Sequence, residues 1–311
     1  MRIASIDIGT NTILLLIAEI NKNGIGKVLH DEQVIARLGK GVDADRIISQ
    51  ETFVRVRDFL IHYKNVCNSF FVEQIAAVGT SALRDAQNNV EFINYIKEST
   101  GITIEILSGD DEAKWTYRGG ISDFIGRAEQ YSVVDIGGGS TEIITGNSKG
   151  IQSKISLDIG SVRITERILK NSPPDISAIL KAHEFILSTI PAHQIQTIRS
   201  TFTIGVAGTL TTLAALHQQL PIYVPDKING YVLSLDDICS MFGLLKDKSV
   251  DQIAAFPQIS TGRADIILAG IMILIGFMEK SRLTQITVSD RGLRYGIVLK
   301  EIERLFNENV R

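Results

Sequence analysis

The sequence predicts an α/β fold built as two related halves. Ile3 to Ile8 and Ile13 to Ile20 are short apolar runs separated by Gly-Thr-Asn-Thr, which reads as two buried strands joined by a tight polar turn. The pattern returns over Tyr131 to Ile136, a Gly-Gly-Gly-Ser-Thr turn, and Glu142 to Thr145, again with an aspartate next to last in the first strand. An internal duplication accounts for both copies. The chain has 311 residues, 44% of them hydrophobic, enough for two cores of ordinary size.

Between the copies, Glu51 to Tyr63 and Val90 to Ser99 carry helical apolar spacing, while Gln74 to Val78 and Ile102 to Leu107 read as strands. Strands alternating with helices imply a mainly parallel sheet. In the second half, Ser172-Pro173-Pro174-Asp175 opens a helix to about Thr189, proline being tolerated in the first turn. Ser234-x-x-Asp237 is a capping-box-like start for another. Val298, Ile302, Leu305 and Phe306 share one face of a final helix, expected to cross back onto the first half. The expected domains are 1–124, completed by a helix over 298–311, and 125–297, with a hinge near residues 120 to 130.

Composition excludes several classes. With 32 Lys+Arg against 35 Asp+Glu the net charge is -3, unlike a DNA-binding protein, so a polyanion must meet a local positive cluster. The N-terminal run carries Asp7, Asn11 and Glu19 and lacks a small-residue cleavage site, so it is not a signal peptide. Ile266 to Met278 is too short to cross a bilayer and reads as a buried core helix, so no membrane partner is expected. Cys67 and Cys239 lie far apart and read as two buried free thiols, which suits a reducing, cytoplasmic compartment. His30, His62, His183, His193 and His217 show no ligand spacing and read as structural or exposed.

The glycine turns carry the first chemical signal. A phosphate chain needs backbone donors that approach closely, which glycine permits. Gly137, Gly138 and Gly139 supply such a turn, Ser140 and Thr141 add hydroxyls, and Asp135 and Glu142 are hard oxygen ligands suited to magnesium. Either turn alone reads equally as a hairpin. The ordered pair, followed by Gly205-Val206-Ala207-Gly208-Thr209, resembles the phosphate loops of the actin, Hsp70 and sugar-kinase superfold. That likeness does not choose a reaction.

Further segments do. Thr80-Ser81-Ala82-Leu83-Arg84-Asp85-Ala86-Gln87-Asn88, Ile106-Leu107-Ser108-Gly109-Asp110-Asp111-Glu112-Ala113 and Ser289-Asp290-Arg291-Gly292-Leu293-Arg294-Tyr295-Gly296 resemble three motifs of the exopolyphosphatase / guanosine pentaphosphate phosphohydrolase family. Weaker matches are Arg37-Leu38-Gly39-Lys40-Gly41, Gly160-Ser161-Val162-Arg163 and Arg263-Ala264-Asp265. Thr10 and Thr12 stand where that family often has serine, and Asp111 replaces the first glutamate of a pair but leaves Glu112. The chain also stops where longer relatives carry an extra helical region, which puts processive grip on a long polymer in question.

The resemblance implies two actin-like (ribonuclease H-like) domains with an interdomain cleft. It implies Glu112 and Glu142 as catalytic carboxylates, Glu112 as the general base from a loop beside that cleft; a solvated helix-start carboxylate is the alternative. Thr10, Asn11, Thr12, Arg84, Gly137, Gly138, Gly139, Ser140, Gly208 and Thr209 are implied phosphate ligands. Arg84 is expected to reach across the cleft, with Arg37, Lys40, Arg163, Arg263 and Arg294 as lesser clamps. Asp135 and Glu142, with Asp7, are implied to hold Mg²⁺ or another divalent cation. The expected reaction is metal-assisted hydrolysis of a terminal phosphoanhydride, on inorganic polyphosphate or guanosine pentaphosphate, with a homodimer as one assembly. Competing readings are an ATPase or kinase of the same superfold, which would need an acceptor pocket or client domain, and a non-catalytic polyphosphate or alarmone sensor, which would not need Glu112.

Overall fold

The computed structural model describes residues 1–39 and 42–307. Lys40 and Gly41, and the last residues of the expected C-terminal helix, lie outside the described residues. The chain forms two compact units, Met1–Gly119 with Gly292–Arg311, and Gly120–Arg291.

In the first unit, β1 (Arg2–Ile8), β2 (Thr12–Asn21) and β3 (Gly24–Ile35) form an antiparallel meander. Two helices follow, α1 (Val42–Asp45) and α2 (Gln50–Ser69), the second opened by Ser49, whose hydroxyl accepts from Thr52 N at 3.2 Å. Next come β4 (Gln74–Gly79), α3 (Ser81–Asp85), α4 (Asn89–Thr100), β5 (Ile104–Ile106) and α5 (Gly109–Ile121). The strand order is β3-β2-β1-β4-β5, with β4 parallel to both β1 and β5.

The second unit repeats the plan. β6 (Tyr131–Ile136), β7 (Thr141–Asn147) and β8 (Gly150–Leu157) form another meander, followed by α6 (Ser161–Arg167) and α7 (Ile176–Thr189). A 3₁₀ turn (Gln196–Ser200) leads to β9 (Phe202–Val206), α8 (Ala207–His217), α9 (Pro225–Ile228) and β10 (Val232–Ser234). Then follow α10 (Leu235–Leu245), α11 (Val250–Ala254), α12 (Thr261–Ala264), α13 (Ile267–Ser281) and β11 (Gln285–Val288). The order β8-β7-β6-β9-β11 matches that of the first sheet, with β10 added antiparallel at the edge. Two actin-like halves are therefore present, and the repeated strand order bears out the duplication.

The sheets are mixed rather than mainly parallel. A turn of three or four residues can join only antiparallel neighbours, so parallel pairing begins where helices provide the crossovers, at β4, β5, β9 and β11. Two further expectations change. Pro173 and Pro174 precede the helix instead of occupying its first turn, because the Asp175 carboxylate caps it by accepting from Ala178 N at 2.8 Å. Cys239 is exposed while Cys67 is buried; its neighbour Ile238 takes the inward position on α10, which turns Cys239 outward.

Packing follows the apolar patterns. In the first unit Phe53, Val56 and Leu60 of α2 and Phe92 and Ile96 of α4 bury against Ile6, Leu15 and Ala77. The final helix, α14 (Leu293–Asn307), packs Tyr295, Val298 and Ile302 with Ile3, Leu16 and Ala18 of the same unit, as expected for a helix that returns to it. In the second unit every residue from Ile267 to Met278 is buried, so α13 is the hub of that core. The capping box expected at Ser234 and Asp237 is formed. Among the described residues no helix is long and apolar enough to cross a membrane.

Candidate active site

Each unit presents a turn whose carbonyl oxygens are already taken by its own chain. In the first, Gly9 N donates to Thr12 O at 3.0 Å, Gly39 N to Thr10 O at 2.7 Å and Arg37 N to Asn11 O at 2.9 Å. The Thr10 hydroxyl lies 3.0 Å from that of Ser81, at the start of α3. In the second, Gly137 N donates to Ser140 O at 3.0 Å, Ser161 N to Gly137 O at 2.9 Å, and Val162 N and Arg163 N to Gly138 O at 2.9 and 3.2 Å. Engaging these lone pairs removes the oxygens that would repel an anion. The α6 approach requires glycine: a Cβ on Gly160 would lie 2.3 Å from Gly138 O. The sequence signal for this contact, Gly160-Ser161 between a strand and a helix, was a weak match only.

The strand ends carry the carboxylates. Asp135 and Glu142 face each other directly in the β6–β7 register, so both project from one face of the sheet. Glu142 Oε1 accepts from Ser156 Oγ at 2.9 Å, a partner that sequence alone did not suggest. The equivalent aspartate of the first unit, Asp7, pairs in register with Leu14 instead. Asp7 is buried, and its Oδ1 has no hydrogen-bond partner among the described residues. Burial, reinforced by the negative charge of Glu112 and opposed by Arg294, pushes its carboxyl up to about 7.

Glu112 lies in the first turn of α5 rather than in a loop, yet it is not a solvated helix-start residue. Arg84 Nη1 donates to Glu112 Oε2 at 2.8 Å and to Leu107 O at 3.0 Å. The Glu112 side chain is only 16% exposed, so this pair is partly desolvated. Arg84, expected to be aimed at substrate, thus holds Glu112 within its own unit. Arg294 likewise pairs with Asp31 at 2.9 Å, and Arg163 pairs with Asp158. Of the third loop, Thr209 packs its side chain against Gly270 of α13, so only its backbone is left for a ligand.

No group of three or more His, Cys, Asp or Glu residues converges as a metal cage among the described residues. Magnesium seldom uses such a cage; it is held by one or two carboxylates with water and substrate phosphate. The Asp135–Glu142 pair of the second unit fits that donor set.

The model of the Ppx/GppA phosphatase family matches residues 16–305. The chain belongs to this family. Among its relatives, the protein named exopolyphosphatase 2 of Mycobacterium tuberculosis is 33% identical over 96% of this chain and 98% of its own length. The crystal structure of an exopolyphosphatase from Cytophaga hutchinsonii superposes with a TM-score of 0.88 at 30% identity, covering 98% of both chains. That of the Aquifex aeolicus Ppx/GppA family member gives 0.79 at 31% identity, covering 100% of this chain and 99% of the other.

Proposed function

We propose that this chain hydrolyses the terminal phosphoanhydride of inorganic polyphosphate, with guanosine pentaphosphate as a second substrate. The observation that carries the reading is its identity with a protein named exopolyphosphatase 2 across nearly the whole of both chains. The chemistry of the residues agrees. Glu112 takes a proton from water as the water oxygen attacks the terminal phosphorus. The bridging P–O bond breaks, and the products are orthophosphate and a chain shorter by one phosphate.

The turns at Thr10, Asn11 and Thr12 and at Gly137, Gly138, Gly139 and Ser140 bind phosphate oxygens through their backbone and hydroxyl donors. Asp135 and Glu142 would hold Mg²⁺, and Asp7 is the corresponding donor of the first unit. When bound, the ion neutralises charge on the phosphate oxygens. Arg84 orients Glu112 and contributes positive charge to the same locus. Two free thiols fit a cytoplasmic setting.

The test is phosphate release from polyphosphate, guanosine pentaphosphate and ATP, each with Mg²⁺. Release from polyphosphate is expected, with slower or comparable release from guanosine pentaphosphate. Turnover confined to ATP, or binding of polyphosphate with no phosphate released, would replace this reading by an ATPase or a sensor.

A further inference from the structure

The two sheets carry matching rows of residues across their strands, and the rows differ at two places. In the first unit Asp7 of β1 pairs with Val78 of β4 on one side and with Leu14 of β2 on the other, and Leu14 pairs in turn with Gln33 of β3. In the second unit Asp135 of β6 pairs with Val206 of β9 and with Glu142 of β7, and Glu142 pairs with Ser156 of β8. The aspartate and the valine are the same in both rows. Leu14 and Gln33 are replaced together, so the carboxylate of Glu142 and the hydroxyl of Ser156 enter the row as a pair.

That pair is bonded as well as aligned. Ser156 Oγ donates to Glu142 Oε1 at 2.9 Å. Residues directly opposite on neighbouring strands project from one face, so Asp135, Glu142 and Ser156 form one line across β6, β7 and β8. Glu142 is buried, while Ser156 is exposed on β8, the edge strand of the sheet. The hydroxyl therefore meets the carboxylate from the edge, on the side away from Asp135. The terminal torsion of a glutamate is broad and roughly two-fold, so nothing intrinsic to the side chain sets the plane of its carboxylate. A hydrogen bond to one of the two oxygens does.

We infer that Ser156 is a positioning residue, whose hydroxyl fixes the plane of the Glu142 carboxylate so that Glu142 and Asp135 present oxygens to one divalent cation. The inference rests on the metal-assisted reading of the site. Magnesium tolerates little departure from octahedral geometry, so a carboxylate that must first be oriented binds it less well than one already held. Partners that orient a metal ligand in this way are worth about 10- to 100-fold in metal affinity. Ser156 is not itself a ligand, and it touches neither the attacking water nor the phosphorus. In the first unit Leu14 offers no oxygen at the equivalent place, so Gln33 has no carboxylate to hold there.

Titration of the chain with Mn²⁺ in the absence of any phosphate compound, followed by the electron paramagnetic resonance signal of the free ion, tests this without turnover. Wild type should bind an ion that Asp135→Asn loses. Ser156→Ala should weaken that binding by about 10- to 100-fold. Ser156→Thr keeps the hydroxyl on a residue type suited to a strand and should restore it. Polyphosphate hydrolysis should divide in the same way: Ser156→Ala needs more Mg²⁺ for half-maximal rate, while its kcat at saturating Mg²⁺ stays close to that of wild type because both ligands are intact. Unchanged Mn²⁺ affinity in Ser156→Ala overturns the positioning role and leaves the metal reading standing. Equal losses in Ser156→Ala and Ser156→Thr overturn it too, since packing of the strand rather than the hydroxyl would then be responsible. If wild type binds no Mn²⁺ that Asp135→Asn removes, the metal reading and the inference fall together.

Discussion

Replacing Asp7 by Asn should change how stability depends on pH, with a sign that the geometry fixes. Asp7 is buried, faces the negative charge of Glu112, and has its carboxyl raised from 3.8 to about 7. Between about pH 4 and pH 7 the unfolded chain ionises this group while the folded chain keeps its proton. The folded state then binds more protons, so stability from this residue is complete at low pH and is lost as pH rises toward 7. Full linkage over that interval is worth about 4 kcal/mol, and about 2 kcal/mol if water entry relaxes the site. Asp7→Asn has no such loss, so its stability relative to wild type should grow by about 2 to 4 kcal/mol from pH 4 to pH 8. The sole tryptophan, Trp115, is buried in the same unit, so urea unfolding followed by its fluorescence in chelator reports on the right half of the chain. A constant difference between the two proteins across that pH range would refute a proton held on Asp7.

Three other substitutions follow. Gly160→Ala forces a Cβ against the backbone of Gly138 and Gly139, at 2.3 to 2.6 Å, so phosphate release should fall at least about tenfold from distortion of a turn alone, while α13 keeps the second unit folded. Assay and circular dichroism together check this, and full activity would remove the turn from the site. Arg84→Ala breaks two bonds inside the first unit, to Glu112 and to Leu107 O, and should cost stability, by about 1 to 3 kcal/mol, as well as activity. Arg84→Lys should recover part of the stability and less of the rate, and identical kinetics in all three proteins would contradict any role in catalysis. Asp135→Asn replaces a hard anionic ligand with a neutral one and should raise the Mg²⁺ concentration for half-maximal activity; full activity in excess chelator would exclude metal assistance.

Much of the architecture was legible because each element carries a local signal. The short apolar runs around Asp7 and Asp135 mark the strand pairs, Ser234 and Asp237 mark a helix start, and the apolar run ending at Met278 marks the core helix. The site was legible only as residue types. Nothing local in the sequence shows that Arg84 turns inward to Glu112, because that pair joins residues 28 apart. The burial of Arg263 is equally hidden, for it depends on Gly208, 55 positions earlier, having no side chain. The place of the Thr209 side chain against Gly270 is likewise hidden, because it is set by helix packing. Cys239 follows the same rule: its exposure depends on which face of α10 meets the core.

Glu112→Gln tests the central claim most directly, since it keeps the side chain's shape and removes its basicity. Phosphate release from polyphosphate should drop by roughly 10² to 10⁴ in kcat with little change in polyphosphate affinity. Turnover by Glu112→Gln close to that of wild type, under the same Mg²⁺ and with the fold intact, would contradict Glu112 as the base and with it the hydrolytic mechanism.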